Sequence, residues 1–70
     1  MGNFSENLKT CRKRRGESQE VVAVHCGISY GTYRRYEKGE REPTLSMFCT
    51  FAKYFEVTLD QLAGWAPLPF

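Results

Sequence analysis

The chain has 70 residues, enough for one small hydrophobic core and no second lobe. Ten Lys and Arg stand against eight Asp and Glu, and 41% hydrophobic with 26% charged residues is a globular mixture, not a disordered one. No apolar run is long enough to span a bilayer, and the opening MGNFSENLKT lacks a basic stretch followed by an apolar one, so neither a membrane protein nor a secretory leader is expected.

Gly and Pro divide the chain into five short helical segments. The first starts near Asn3 or Ser5; Asn3 with Glu6 three residues later resembles a capping box, and Phe4, Leu8 and Cys11 recur at helical spacing. It ends in the basic run Arg12-Lys13-Arg14-Arg15, which suits the helix dipole, and then Gly16. The second runs from the N-cap Ser18 to Gly27 with Val22, Ala23 and Cys26 as its apolar stripe. The third runs from Ser29 to Gly39 and places Tyr33 and Tyr36 on one face. The fourth starts at Thr44, after Pro43, and its stripe reads Leu45, Phe48, Cys49, Ala52 and Phe55. The fifth opens on Thr58 with Gln61 three residues on, a capping box, and turns Leu59 and Leu62 inward. Val21-Val22-Ala23-Val24 has β propensity but lies between a helix cap and a helix stop, so no strand is expected. Short connections between short helices predict a compact all-α domain.

Cys11, Cys26 and Cys49 are odd in number and contain no CxxC pair. They read either as a metal site completed by His25 or as reduced, small apolar core residues. Zinc ligands come in closely spaced pairs, so the second reading is preferred, no metal or other cofactor is expected, and the compartment is cytoplasmic.

The small net charge hides an asymmetry. Residues 1–41 hold nine Lys and Arg against five Glu, a balance of +4. Residues 42–70 hold Lys53 against Glu42, Glu56 and Asp60, a balance of −2. A basic half beside an acidic half suggests one surface built for a polyanion, although solvated helix faces produce the same count.

Segments two and three are joined by Cys26-Gly27-Ile28-Ser29, a tight Gly-containing turn between two short helices. Ala23, four residues before Gly27, is small enough for the helices to cross closely, and Gly27 tolerates the positive φ of the turn. The set Ser18-Gln19-Glu20, Ala23, Gly27-Ile28-Ser29, Tyr36-Glu37-Lys38-Gly39 and Pro43 resembles the lambda repressor/Cro-type (XRE-type) helix-turn-helix domain. The resemblance runs from about Asn7 to Leu62. It implies a five-helix lambda-repressor-like DNA-binding domain over residues 1–64, with helices two and three as the helix-turn-helix, followed by an apolar tail at 65–70.

The resemblance also implies roles. Gln19 opens the second helix, where its amide reaches a phosphate or supports a base-reading side chain. Ser29 caps the third helix and lies within reach of phosphate. Tyr30, Gly31, Thr32, Arg34 and Arg35 fall on the helix that similar proteins lay in the major groove. Arg35 is read as a base contact and Arg34 as a phosphate or base contact, because guanidinium matches guanine O6 and N7. Tyr30 suits a thymine methyl or a phosphate. Lys38, Arg41 and Thr44 follow at backbone-contact positions, whereas Glu40 and Glu42 are departures expected to point away from DNA. Arg12 and Glu37 are expected to form a structural ion pair. Tyr33 and Tyr36 replace aliphatic residues, so each hydroxyl needs a partner. Gly31 removes a side chain where similar proteins often read bases, and it costs about 1 kcal/mol of helix stability. His25 reads as a surface residue.

The tail Trp65-Ala66-Pro67-Leu68-Pro69-Phe70 cannot continue a helix. Its large apolar side chains either fold back on the core or bury against a partner, and Leu62, Trp65, Leu68 and Phe70 form the candidate dimer interface. The expected function is sequence-specific binding of a double-stranded DNA operator by a homodimeric transcriptional regulator. Two-fold symmetric half-sites would lie about 34 Å apart, with no small-molecule ligand. The rival is a protein-interaction module, such as an antitoxin or antirepressor subunit. An enzyme is not expected: His25 and Cys26 are adjacent on a helix and cannot face each other.

Overall fold

Each helix begins on a side chain that accepts a hydrogen bond from a backbone N–H three residues on. In the computed structural model, which describes residues 3–70, these caps are Asn3, Ser18, Ser29, Thr44 and Thr58. They open α1 (Phe4–Arg15), α2 (Gln19–Cys26), α3 (Tyr30–Lys38), α4 (Leu45–Phe55) and α5 (Leu59–Ala63). The described residues form no strand. At Thr58 the box is complete, with Gln61 Oε1 accepting from the Thr58 N–H at 2.9 Å. At Asn3 only half of it forms. Asn3 Oδ1 accepts from the Glu6 N–H and from the Ser5 hydroxyl, both at 2.8 Å.

Gly27 takes φ 74°, and the chain reverses there so that the Ile28 N–H donates to the Ala23 carbonyl at 3.0 Å. This sets the angle between α2 and α3. α4 ends differently, on Glu56 at φ 58°, a left-handed residue with a side chain.

α1 packs against α3 and α5, and α2 packs against α3 and α4. Leu8, Val22, Tyr33, Phe51 and Leu62 are completely buried where these helices meet. Phe51 is the hub: Tyr33 and Tyr36 meet it edge-on at 5.8 and 5.6 Å, and Phe4 lies 6.0 Å away. Truncating such a ring costs about 3–5 kcal/mol. Cys11 and Cys26 are buried and Cys49 is half-buried, all as free thiols. Burial pushes Cys11 up, and burial with the nearby Glu17 charge pushes Cys26 up to about 11. No group of three or more potential metal ligands occurs among the described residues.

The structure corrects the expected faces of α4 and α5. Leu45 is 74% exposed and Leu59 is partly exposed, while Phe51, absent from the expected stripe, fills the core. Leu62 is completely buried in its own chain, so it has no surface to give to a dimer and leaves the candidate interface. Its burial is sealed by Asn7, whose Nδ2 donates to the Gln61 and Leu62 carbonyls at 3.2 Å. Leu68 also turns inward and packs on the core. Phe70 lies beneath the Arg14 guanidinium, 4.2 Å from Cζ to ring centroid. The tail thus folds back on its own domain, and Trp65 alone among its large side chains stays mostly exposed, at 75%.

Candidate nucleic-acid interface

α3 buries Tyr33, Tyr36 and Glu37 and leaves Tyr30, Gly31, Arg34, Arg35 and Lys38 exposed. The three inward positions are spaced i, i+3 and i+4, so Gly31, Arg35 and Lys38 lie on the opposite face, with Tyr30 and Arg34 along its edge. Ser29 holds the start of this helix. Its Oγ accepts from the Thr32 N–H at 3.1 Å and donates to Thr32 Oγ1 at 2.8 Å, so both hydroxyls serve the cap. Arg41 and Thr44 are exposed in the following loop, where Thr44 Oγ1 accepts from the Met47 N–H at 3.1 Å. Glu40 and Glu42 are exposed in that loop as well.

At the end of α1, Arg12 pairs with Glu37, Arg14 lies on Phe70 and Arg15 pairs with Glu17 at 3.1 Å, while Lys13 is exposed. Arg34, Arg35, Lys38 and Arg41 form no ion pair among the described residues. Arg34 lies over the Tyr30 ring at 5.4 Å and Arg41 over Tyr36 at 6.0 Å. Exposed cations on α3 and in the loop after it are an electrostatic footprint for a polyanion.

Beneath that face lies a buried polar network. Arg12 Nε and Nη2 donate to the two Glu37 oxygens at 2.7 and 3.1 Å, the bidentate pair expected from the resemblance. Arg12 Nη1 also donates to the Glu17 carbonyl at 3.0 Å. Gln19 Nε2 donates to Glu37 Oε1 at 3.0 Å. Burial alone would push Glu37 up, but the hydrogen bonds from Arg12 and its neighbours outweigh it and hold the carboxyl below its ordinary range. The network joins α1, the start of α2 and the end of α3, and so fixes how α3 is presented. Gln19 therefore helps to position α3, with one N–H of its side-chain NH2 group engaged by Glu37.

Sequence reasoning missed the third donor to Glu37 because a Gln at a helix start has many uses. It also missed the cluster at the back of α2, where Tyr54 Oη donates to Glu17 at 2.8 Å and His25 stacks on the Tyr54 ring at 5.6 Å. His25 is exposed, as expected, but has an aromatic neighbour.

Two short helices joined by the Gly27 turn, the second presenting a basic outer face, define a helix-turn-helix protein. The chain belongs to the helix-turn-helix (HTH_3) family, whose pattern it matches over residues 8–62. It is 41% identical over 59 residues to the HTH-type transcriptional regulator YqaE of Bacillus subtilis, covering 84% of this chain and 51% of that protein. It is 37% identical over 64 residues to the CTXphi cryptic phage repressor RstR of Vibrio cholerae, covering 90% and 57%. The chain thus spans little more than half the length of these relatives. Its fold matches a transcriptional regulator from Listeria innocua with TM-score 0.84 and 28% identity, covering 91% of this chain and 60% of that one.

Proposed function

We propose that this chain binds double-stranded DNA in a sequence-specific way as the DNA-binding part of a transcriptional regulator, with α3 in the major groove. The observation that carries this reading is the exposed face of α3, where Arg34, Arg35 and Lys38 stand without ion-pair partners among the described residues, beside the Arg12–Glu37–Gln19 network. Arg35 reads a guanine edge, and Lys38 and Arg41 neutralise phosphate. Ser29, Thr32 and Thr44 sit at helix starts whose backbone N–H groups face the same anions. The names of the relatives, a transcriptional regulator and a repressor, support the same reading.

The chain acts as a homodimer on a two-fold symmetric site, and the exposed Trp65 and Phe70 supply the contact that Leu62 and Leu68 do not. A second reading, a module that binds another protein, draws on the same exposed Trp65.

Selection of bound sequences from a random duplex pool tests both, with the unchanged chain and Arg34→Ala/Arg35→Ala in parallel. A palindromic motif lost in the double variant is the expected result. Enrichment of nothing, with weak binding that collapses as salt rises, would leave only nonspecific phosphate attraction and favour the protein-binding module.

A further inference from the structure

Gly31 has no structural reason to be glycine. It is helical, its φ is not positive, and a Cβ placed on it meets no atom of the described residues within 4 Å apart from its chain neighbours and its own helix backbone. Neither the backbone nor the packing asks for it, yet glycine inside a helix costs about 1 kcal/mol relative to alanine. Its neighbours are also unusual for a solvated face. Tyr30 exposes 45% of its surface in the first turn of α3. One turn on, Arg34 lays its guanidinium over that ring at 5.4 Å. The three residues together present an exposed aromatic ring, open space where a side chain would stand, and a cation lying over the ring.

We propose that Tyr30, Gly31 and Arg34 form a subsite for a 5-methylpyrimidine that precedes a guanine. This rests on the reading of α3 as the DNA-contacting helix. The C5 methyl group of such a base projects into the major groove and is the apolar feature there. It enters the space over Gly31 and rests against the Tyr30 ring. Arg34 takes N7 and O6 of the neighbouring guanine with its two-pronged edge. The contact with the Tyr30 ring favours a guanidinium orientation that it keeps on binding. A phosphate oxygen does not account for the same features, because it gains nothing from an aromatic ring or an open space. Lys38, exposed on the same helix, already supplies a plain cation for that purpose. Thymine and 5-methylcytosine share the methyl group, and the experiment separates them.

The chain is used whole. A duplex enriched from the random pool is measured by fluorescence anisotropy. It is then remeasured with each thymine singly replaced by deoxyuridine, and with the candidate thymine pair replaced by cytosine or 5-methylcytosine paired with guanine. The expected half-site carries a thymine on the 5′ side of a guanine. Loss of its methyl weakens binding by about three- to fivefold, the worth of one buried methyl group. Recovery on 5-methylcytosine relative to cytosine assigns the effect to the methyl. Failure to recover assigns it to the thymine carbonyl and overturns the proposal. Tyr30→Ala, an exposed position, is expected to abolish the uridine effect. Gly31→Val is expected to fill the space over Gly31 and weaken the methylated duplex more than the uridine one, with circular dichroism confirming that both variants fold. A flat uridine scan, or an unchanged scan in Tyr30→Ala, overturns the subsite while leaving the operator-binding function in place. If no duplex is enriched at all, both readings fall together.

Discussion

Arg12 and Glu37 lie 25 positions apart in sequence and meet through paired hydrogen bonds of 2.7 and 3.1 Å. Their side chains are 14% and 2% exposed, so the carboxylate is almost out of water and depends on its donors. Removing one partner is then far more damaging than removing both. Arg12→Ala leaves a buried charge and is expected to cost about 3–5 kcal/mol, enough to unfold much of a domain this small. Arg12→Met with Glu37→Leu removes the charge as well and is expected to cost less than the single change. Urea midpoints of the two variants and the unchanged chain check the order; a double variant weaker than Arg12→Ala would refute it.

The same pair sets an acid limit on the fold. Glu37 titrates below its unfolded-state value, so the folded form binds fewer protons than the unfolded form as pH falls. The stabilisation from Glu37 is fully present above the ordinary carboxylate range, from about pH 5.5 upward, and is lost as pH falls through the lowered folded value. Stability of the unchanged chain is expected to be flat near neutrality and to decline below about pH 4.5. In Glu37→Gln the decline should be shallower, because the remaining carboxylates are mostly exposed. Thermal melts from pH 7 to 3 read the difference in slope.

Tyr33 is completely buried, and its hydroxyl, beside the Glu37 carboxylate, makes no well-aligned hydrogen bond among the described residues. Burial first, and then the adjacent Glu37, push the phenol far up, so it stays protonated. An unsatisfied buried hydroxyl costs about 1–3 kcal/mol relative to a satisfied or absent one. Tyr33→Phe keeps the edge-on contact with Phe51 and deletes only the oxygen. It is expected to raise the melting temperature by several degrees, since about 1 kcal/mol moves a domain of this size by about 4–8 °C. A lower melting temperature would show that the hydroxyl contributes a bond to Glu37 instead.

What was legible in the sequence follows from how local each cause is. The N-caps and the glycine stops act within a few residues, and they mark the helices on their own. The α4 stripe was misplaced although Ser46, Thr50 and Lys53 mark a polar face at i, i+4 and i+7 with Phe51 opposite it; Leu45 sits at the edge of that face in the first turn, where exposure depends on what packs there. Leu62 and Leu68 posed the opposite difficulty. Large apolar residues near a chain end read equally as partner surface or as core, and only the approach of α1, with Asn7 holding the Leu62 carbonyl, decides for the core. The Arg12–Glu37 pair came from resemblance, since no local rule joins two charges so far apart in the chain. The contact of Arg14 with Phe70 had no signal at all, because it depends on where the tail lands.

Glu56 is the one described residue other than glycine with positive φ, at 58°, and it ends α4 with its N–H donating to the Lys53 carbonyl at 3.3 Å. The left-handed conformation strains a side chain by about 1–2 kcal/mol. Glu56 is exposed and has no hydrogen bond or ion pair through its carboxylate among the described residues. Glu56→Gly is therefore expected to stabilise the fold by about 0.5–1 kcal/mol, the relief of strain exceeding the added entropy of the unfolded chain. Glu56→Val should do the reverse, since a β-branched residue resists φ above zero. Paired denaturation curves decide it, and a destabilised glycine variant would mean that the carboxylate contributes what the geometry does not show.

Two jobs fall to the cations on α3 and in the loop after it. Lys38 and Arg41 are read as phosphate contacts, and Arg35 as a base contact. Each neutralised phosphate releases counterion, so the logarithm of affinity falls with the logarithm of salt by about 0.9 per contact on duplex DNA. Lys38→Ala and Arg41→Ala are each expected to weaken binding to all duplexes alike and to reduce that slope by about one. Arg35→Ala should act differently. It loses about 1–3 kcal/mol on the preferred duplex, little on a random one, and relaxes the selected motif at a single guanine. Titrations at four salt concentrations against both duplexes distinguish the cases. If Arg35→Ala changes the slope and leaves the motif intact, then Arg35 touches only backbone, and sequence must be read from Tyr30, Gly31 and Arg34.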